Sequence, residues 1–152
     1  MRAWFIVLLV SVWFAAGLRS AAEEQTQEPP YDTAISATQA LDIAEAAFRQ
    51  YFQTHEGPRF ILLFGADPSP EFLKRFADSK VPVRACSDEG KPKGHVCVWV
   101  SKITRVTDTT VTAKVGFRGG EISGGGFTYE MELKAGKWTV TRERRENPTS
   151  PI

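Results

Sequence analysis

The sequence predicts an α+β domain in which an N-terminal helix packs on a curved antiparallel sheet. A second, short helix follows the first along the chain. Two observations support this prediction. Apolar side chains recur at helical spacing in the first half of the chain, between residues 36 and 56. The second half instead contains segments in which apolar and polar side chains alternate, separated by turn residues. A helical part followed by a run of strands is typical of an α+β fold.

The chain opens with a segment typical of an export signal. Arg2 precedes a mostly apolar run over residues 3–18, and a Ser-x-Ala motif ends at Ala22. The run is shorter than the roughly 20 residues that span a bilayer comfortably, so residues 1–22 are interpreted as a cleaved signal peptide. An uncleaved membrane anchor is the alternative, which Arg19 beside the expected cut keeps open. The expected localisation is periplasmic or extracellular, with no stable membrane association after cleavage.

Composition limits what the mature chain would bind. Cleavage would remove 22 of the 152 residues and leave 130, enough for one domain with a hydrophobic core. Loss of Arg2 and Arg19 would leave 17 Lys and Arg against 18 Asp and Glu, a formal net charge of −1. This balance gives no electrostatic attraction to nucleic acid or to an anionic membrane. The expected partner is a small molecule or another exported protein.

The first helix has recognisable start and stop signals. Residues 23–35 are largely polar, contain two prolines and are expected to form a flexible lead-in to a single domain over 36–146. Ser36 and Gln39 form a capping box at the start of the helix. Proline at position 58, after a glycine, ends the helix because it cannot continue one. The apolar stripe between these signals comprises Leu41, Ala44, Phe48, Tyr51 and Phe52.

The middle of the chain is expected to form a buried strand, a short helix and an extended segment. Residues 60–64 are all apolar, and their length and the glycine that follows favour a strand over a helical turn. Pro70 suits the first turn of the second helix. Pro82 prevents a helix around it, so residues 81–86 are interpreted as extended, at an edge or at a strand start. The apolar face of the short helix comprises Phe72, Leu73 and Phe76.

A meander of four strands is expected in the second half. The strands are placed at residues 95–106, 110–117, 127–133 and 137–142. In the last three strands, apolar and polar side chains alternate, which predicts one buried face and one solvent-exposed face. The glycine-rich residues 119–126 are interpreted as a long flexible connection. A phosphate-binding loop is disfavoured there, because a strand rather than a helix follows and no lysine is present. Residues 147–152 are expected to form a disordered tail.

The first of these strands is apolar on both faces between Val96 and Val100. Either this strand lies at the centre of the sheet and is covered twice, or its outer side meets a second copy of the chain. In the second case, Val98 or Trp99 would lie at the two-fold interface of a homodimer. Both interpretations explain the same residues and stay open.

Cys86 and Cys97 are expected to form a disulfide. An even number of cysteines in an oxidising compartment favours such a bond, and two buried free thiols are the alternative. The two cysteines and His95 would supply three zinc ligands, but a fourth ligand and a Cys-x-x-Cys pair are missing from the sequence. Neither a metal site nor a cofactor is therefore predicted.

Several stretches of the chain resemble a group of small exported bacterial proteins of unknown activity. They are residues 67–73 (DPSPEFL), 81–84 (VPVR) with Ser87, 125–129 (GGFTY) and 136–140 (GKWTV). The resemblance covers roughly residues 60–142 and includes no known catalytic motif. The order of helix and curved sheet also resembles the NTF2-like or cystatin-like superfold. That superfold hosts enzymes, binding proteins and inhibitors alike, so the resemblance does not select a function.

The sequence is interpreted first as that of an exported binding module without catalytic residues. No acid–base pair, nucleophile motif or metal set is recognised in it, and His55 and His95 are interpreted as surface histidines. One alternative is a small NTF2-like enzyme of the isomerase or hydratase type with Tyr129 as hydrogen-bond donor, since alternation places that side chain on the apolar face. A second alternative is an inhibitor of another exported protein. Ligands would bind at the outer sheet face around Trp99 or in a pocket between helix and sheet. The candidate pocket residues are Phe48, Tyr51, Phe117, Tyr129, Met131 and Trp138.

Overall fold

A long helix lies on one face of a mostly antiparallel sheet, and a short helix follows it along the chain. The structure is a computed structural model and describes residues 29–90, 92–119 and 123–146. The helices are α1 (Ala37–Thr54) and α2 (Pro70–Lys74). The strands are β1 (Arg59–Leu63), β2 (Val83–Ala85), β3 (Val96–Arg105), β4 (Thr110–Gly119), β5 (Ser123–Lys134) and β6 (Lys137–Glu146). The predicted α+β class, with its N-terminal helix on a sheet and its second short helix, is confirmed.

The six strands form one sheet in the order β2-β1-β3-β4-β5-β6. Neighbours from β3 to β6 pair antiparallel, as alternation predicts, whereas β1 runs parallel to both β2 and β3. The sheet therefore has six strands and a parallel side, instead of being antiparallel throughout as expected. Parallel neighbours need a crossover connection, and residues 64–82, which include α2, supply the one between β1 and β2.

The β4–β5 hairpin is longer than predicted. The sequence predicts a flexible connection over residues 119–126, but residues 116–119 pair with residues 123–126 as strands. A Cβ atom on Gly116 would lie 2.4 Å from the Trp99 ring, and one on Gly125 would lie 2.9 Å from the Phe117 ring. These glycines therefore admit aromatic rings that lie across the strands, so their abundance does not indicate a loop.

Both ends of α1 follow the predicted signals. The Ser36 hydroxyl accepts a hydrogen bond from the Gln39 amide at 3.2 Å, and the Gln39 side-chain oxygen accepts one from the Ser36 amide at 3.0 Å. At the other end, the His55 amide donates to the carbonyl of Tyr51 at 3.1 Å. Gly57 then adopts a φ of +116°, which glycine tolerates far better than other residues. The chain thereby turns from the helix into β1.

The hydrophobic core lies between α1 and the inner face of the sheet. The buried side chains of α1 are Ala40, Ile43, Ala44, Ala47, Phe48, Tyr51 and Phe52. The buried side chains of the meander strands are Val98, Val100, Ile103, Val111, Ala113, Val115, Phe127, Tyr129 and Met131. Complete burial of one large apolar side chain contributes about 1.5–3 kcal/mol, so packing on the sheet stabilises α1 more than helix propensity does. Leu41 of the predicted stripe is only half-buried, at the edge of this contact.

Two arginines fasten α1 to the chain around α2. Arg49 bonds Glu45 within the helix and Asp78 beyond α2, at 2.8 and 3.0 Å. Arg75 pairs with Asp42 at 2.6 Å and with Glu45 at 3.1 Å. The hydrogen bonds from Arg49 hold the pKa of the Asp78 carboxyl below its usual range. Single surface ion pairs contribute little to stability, whereas a network that shares partners holds its elements in register.

The chain before α1 pairs with β3 where residues can be described. The Ile103 amide donates to the carbonyl of Pro30 at 2.9 Å, and the Asp32 amide donates to the carbonyl of Ile103 at 3.2 Å. The ring of Tyr31 packs against that of Phe64 at 5.5 Å. The proposed signal segment, the first part of the lead-in and the expected tail lie outside the described residues.

Candidate ligand-binding cavity

A disulfide-closed segment crosses the outer face of β1. Because β2 and β3 lie on opposite sides of β1, residues 86–97 must pass over that strand, and we call them the crossover loop. Cys86 and Cys97 at its two ends are bonded, as predicted, with their Cα atoms 5.8 Å apart. Phe60 of β1 is only 3% exposed, and its ring meets that of His95 at 5.2 Å. The loop therefore covers an apolar side chain on the sheet face opposite α1.

A cavity of about 360 Å³ opens between the end of α1 and the crossover loop. Its walls come from the last turn of α1, the turn into β1, the second half of the crossover loop and the start of β3. The lining residues are Tyr51, Phe52, His55, Glu56, Gly57, Pro58, Arg59, Pro92, Lys93, Gly94, His95, Val96 and Val98. The parallel pairing of β1 with β3 creates the cavity, because it places the first residues of both strands at the same end of the sheet.

Aromatic rings form the helix side of the cavity. Tyr51 and His55 are one helical turn apart, and their rings stack with centroids 4.0 Å apart and planes only 2° from parallel. His55 also meets Phe117 and Phe127 at centroid distances of 6.4 and 5.9 Å. Burial raises the pKa of the Tyr51 phenol, so this ring stays uncharged at neutral pH. The wall is therefore built of flat aromatic rings.

Arg59 lies beside this aromatic wall. Its Cζ atom is 4.8 Å from the centroid of the Phe52 ring, a cation–π contact. Nη1 donates to the hydroxyl of Ser79, which in turn donates to the carbonyl of Val81 at 2.8 Å. Nε is buried and has no hydrogen-bond partner among the described residues, and no ion pair joins Arg59 to a carboxylate of those residues. An arginine in this state has unused capacity to bind an anion.

The charge around the cavity is positive overall. Arg59 and Lys93 carry two positive charges, and Glu56 carries the negative one. Lys93 and Glu56 are exposed at the mouth, whereas Arg59 is half-buried. His95, on the crossover loop, has Nδ1 3.2 Å from the carbonyl of Pro92, which orients its ring. The cavity thus combines apolar rings with a few directed polar groups, as small-molecule sites do.

The structure places one of the six candidate pocket residues, Tyr51, on this cavity. Phe48, Tyr129 and Met131 lie in the core and are at most 1% exposed. The remaining two, Phe117 and Trp138, are half-buried and pack against the core.

The Tyr129 hydroxyl is buried without a hydrogen-bond partner among the described residues. Desolvation raises the pKa of this phenol above its ordinary value, and the nearby negative charge of Glu143 adds to the effect. The ring stacks on Phe127 at 6.0 Å and is 0% exposed. In the described structure, Tyr129 is a core residue that a substrate cannot reach.

Sequence reasoning missed both histidines and Arg59 as cavity residues. His55 and His95 are 40 positions apart in the sequence and line the same cavity only because β1 and β3 run parallel. The one available signal was the predicted Cys86–Cys97 bond, which ties the neighbourhood of His95 to the sheet. Within the described ranges, no three His, Cys, Asp or Glu side chains are grouped to hold a metal ion.

The doubly apolar stretch of β3 lies inside the sheet, between β1 and β4. Val98 and Val100 face α1 and are 2% and 0% exposed. On the outer side, Cys97 forms the disulfide, and the half-buried indole of Trp99 lies across Gly116. Contacts within the chain therefore account for much of the apolar character of this stretch.

The comparisons with known proteins assign this chain to no family. Comparisons with protein-family models, with curated proteins and with solved structures give no match. Neither helix in the described part of the chain is long and apolar enough to cross a membrane. The α+β fold, with a helix on a six-stranded mixed sheet, is what the structure establishes of the resemblance drawn from the sequence.

Proposed function

We propose that this chain is an exported, non-enzymatic binding module whose ligand occupies the cavity at the end of α1. The observation that supports this proposal most strongly is Arg59, an arginine on an aromatic wall with no carboxylate partner among the described residues. The cavity volume of about 360 Å³ falls within the roughly 300–1,000 Å³ of known small-molecule sites.

Export is supported by the disulfide and by the first 22 residues. Cys86 and Cys97 are bonded, and structural disulfides persist mainly in oxidising compartments outside the cytosol. The N-terminal segment has the charge, length and small residues of a signal peptide. The two together support a periplasmic or extracellular location. Kinship with the exported proteins that the sequence resembles, and with NTF2-like or cystatin-like domains, is part of this proposal.

A binding role is preferred to an isomerase or hydratase that uses Tyr129. Such an enzyme needs its donor in contact with the substrate and a base within hydrogen-bond distance of the proton it removes. Tyr129 is fully buried, and its hydroxyl meets no partner among the described residues. Around the cavity, the polar groups suit the holding of a ligand, since no side-chain hydrogen bond joins His55 or His95 to a carboxylate there.

A fragment titration tests the proposal. The secreted chain, labelled with nitrogen-15, is titrated with four small compounds that differ in charge and shape: benzoate, benzamide, benzylamine and acetate. We expect at least one compound to shift the amide signals of residues 51–59 and 92–96 in a saturable way. The proposal is wrong if none of the four, followed by a general fragment library, perturbs these amides.

A further inference from the structure

We infer that the cavity at the end of α1 takes a planar aromatic monocarboxylate, with its carboxylate on Arg59 and its ring against the aromatic wall. This inference rests on the proposed function and names the class of ligand for the same cavity. Three features of the described residues support it: the unused donors of Arg59, the ring geometry and the local charge.

Arg59 differs from the two other arginines that pack near α1 in the hydrogen-bond partners of its guanidinium group. Arg49 and Arg75 each stack over a phenylalanine, and each bonds two carboxylates of the chain. Arg59 has the same stacked arrangement on Phe52 but bonds only the Ser79 hydroxyl among the described residues. Among the described residues, one of these three stacked guanidinium groups thus lacks the anion that satisfies the other two.

The open edge of this guanidinium carries Nη2 and Nε, because Nη1 is already bonded to Ser79. Charged hydrogen bonds from such a group to a carboxylate oxygen are shorter and stronger than neutral ones. Nε is buried, so we expect the ligand carboxylate to bond Nη2.

The stacked rings of Tyr51 and His55 favour a flat aromatic ligand. Their planes are parallel to within 2°, and Phe117 and Phe127 extend the cluster behind them. Aromatic rings attract one another beyond simple burial when they stack with an offset or meet edge to face. A flat aromatic ligand continues this cluster, whereas a puckered aliphatic ring of equal size lacks the π-face that the wall offers.

The charges of the lining residues favour a ligand with a single negative charge. Among the lining residues, the two positive charges of Arg59 and Lys93 exceed the negative charge of Glu56 by one. A single carboxylate compensates that excess, and a second one would meet Glu56 at the mouth. The volume of about 360 Å³ is near the lower end of the range for ligand sites, which favours one ring or two small ones.

The test compares benzoate with benzamide and cyclohexanecarboxylate on the secreted chain, by calorimetry and by amide shifts. Benzoate differs from benzamide in charge and from cyclohexanecarboxylate in planarity. Charged hydrogen bonds contribute about 1.5–3 kcal/mol, so we expect benzoate to bind about tenfold or more tightly than benzamide. Cyclohexanecarboxylate should bind about threefold or more weakly than benzoate, because it loses the stacking.

Two variants and a matched control locate the carboxylate. Arg59→Gln should weaken benzoate about tenfold or more and leave benzamide unchanged. Arg59 also contacts Phe52 and Ser79, so Lys93→Gln, at an exposed position, provides a second variant that keeps the fold. We expect it to weaken benzoate about two- to threefold, through the loss of one nearby charge. Arg118→Gln, at an exposed arginine of β4, is the control and should change nothing.

Equal affinity for benzoate and benzamide, or benzoate binding that neither variant weakens, would overturn the inference. In either case, shifts that still map to residues 51–59 and 92–96 would leave the proposed function standing with a different ligand class. Benzylamine as the only binder at those residues would have the same meaning. A complete lack of shifts there, with the fragment library included, would contradict both proposals.

Discussion

The guanidinium of Arg59 lies over the ring of Phe52, with Cζ 4.8 Å from the ring centroid. The contact joins the first residue of β1 to the last turn of α1, across the four-residue turn that contains Gly57. It therefore sets the distance between the helix wall and the strand wall of the cavity. A cation–π contact at a half-buried site stabilises by about 0.5–2 kcal/mol, so one side chain helps to fold the cavity and to charge it.

Tyr129→Phe should stabilise the fold. The hydroxyl is buried without a partner among the described residues, and its removal relieves a desolvation cost of about 1–3 kcal/mol. Urea unfolding at neutral pH should show a free energy of unfolding raised by about 1 kcal/mol. A loss of stability would mean that the hydroxyl bonds a group in the folded protein and is available as a donor after all.

Stability should fall at alkaline pH. Burial raises the pKa of both Tyr51 and Tyr129 in the folded chain, so above about pH 10 the unfolded chain loses protons that the folded chain keeps. Unfolding then becomes more favourable as the pH rises. Urea titrations at pH 7 and about pH 10.5 should show this decrease, and Tyr129→Phe should reduce it. An identical pH dependence in the variant would contradict the burial of this phenol.

The disulfide should contribute measurably to stability. The bond between Cys86 and Cys97 closes a loop with a sequence separation of 11, for which chain entropy alone gives about 3 kcal/mol. Replacing both cysteines by serine should lower the free energy of unfolding by about that amount. Alkylation of the oxidised chain without reductant, followed by mass spectrometry, should label neither cysteine. Labelling at both positions would contradict the bond.

Gly116→Ala should destabilise the sheet and alter tryptophan fluorescence. The new Cβ would lie 2.4 Å from the Trp99 ring, so the indole must move off the strand. Overpacking of this kind costs about 1–3 kcal/mol, which urea unfolding would measure. Gly136→Ala is not a suitable control, because Gly136 has a positive φ. Lys114→Ala, at an exposed position on the same strand, is suitable and should leave the fluorescence unchanged.

Sedimentation tests whether two copies of the chain associate through Trp99. Stable interfaces bury roughly 800 Å² per partner, whereas the exposed large hydrophobic side chain among the described residues, Val106 at 61% exposure, lies outside the 96–100 stretch. We therefore expect sedimentation equilibrium to show monomers at high micromolar concentration. A dimer that dissociates in Trp99→Glu would instead establish the outer face of β3 as an interface between copies.

Local signals predicted the elements that local physics determines. The capping box of Ser36 and Gln39 needs only two residues three positions apart, and the structure contains it. Alternation correctly placed Tyr129 and Met131 on the buried face, because successive strand residues point to opposite sides. The two cysteines needed only their number and an oxidising compartment to be paired correctly.

The cavity could not be predicted in the same way. Alternation shows which face a side chain occupies, but it does not show which strand lies beside which, or in what direction. The parallel pairing of β1 with β3, which brings His55 and Arg59 near His95, depends on the crossover loop and has no local signature. The glycine-rich sequence predicts flexibility at Gly125, and it gives no sign of the ring that covers Gly116. In both cases the covering ring belongs to another position in the sequence.

A crystal structure of the chain grown with benzoate tests the central claim most directly. The account predicts density for a flat ring against His55 and Tyr51, with a carboxylate oxygen about 3 Å from a nitrogen of Arg59. Density at this place would assign both the cavity and the ligand class. The account is contradicted if the cavity is empty at saturating benzoate, or if a carboxylate of the chain itself occupies the open edge of Arg59.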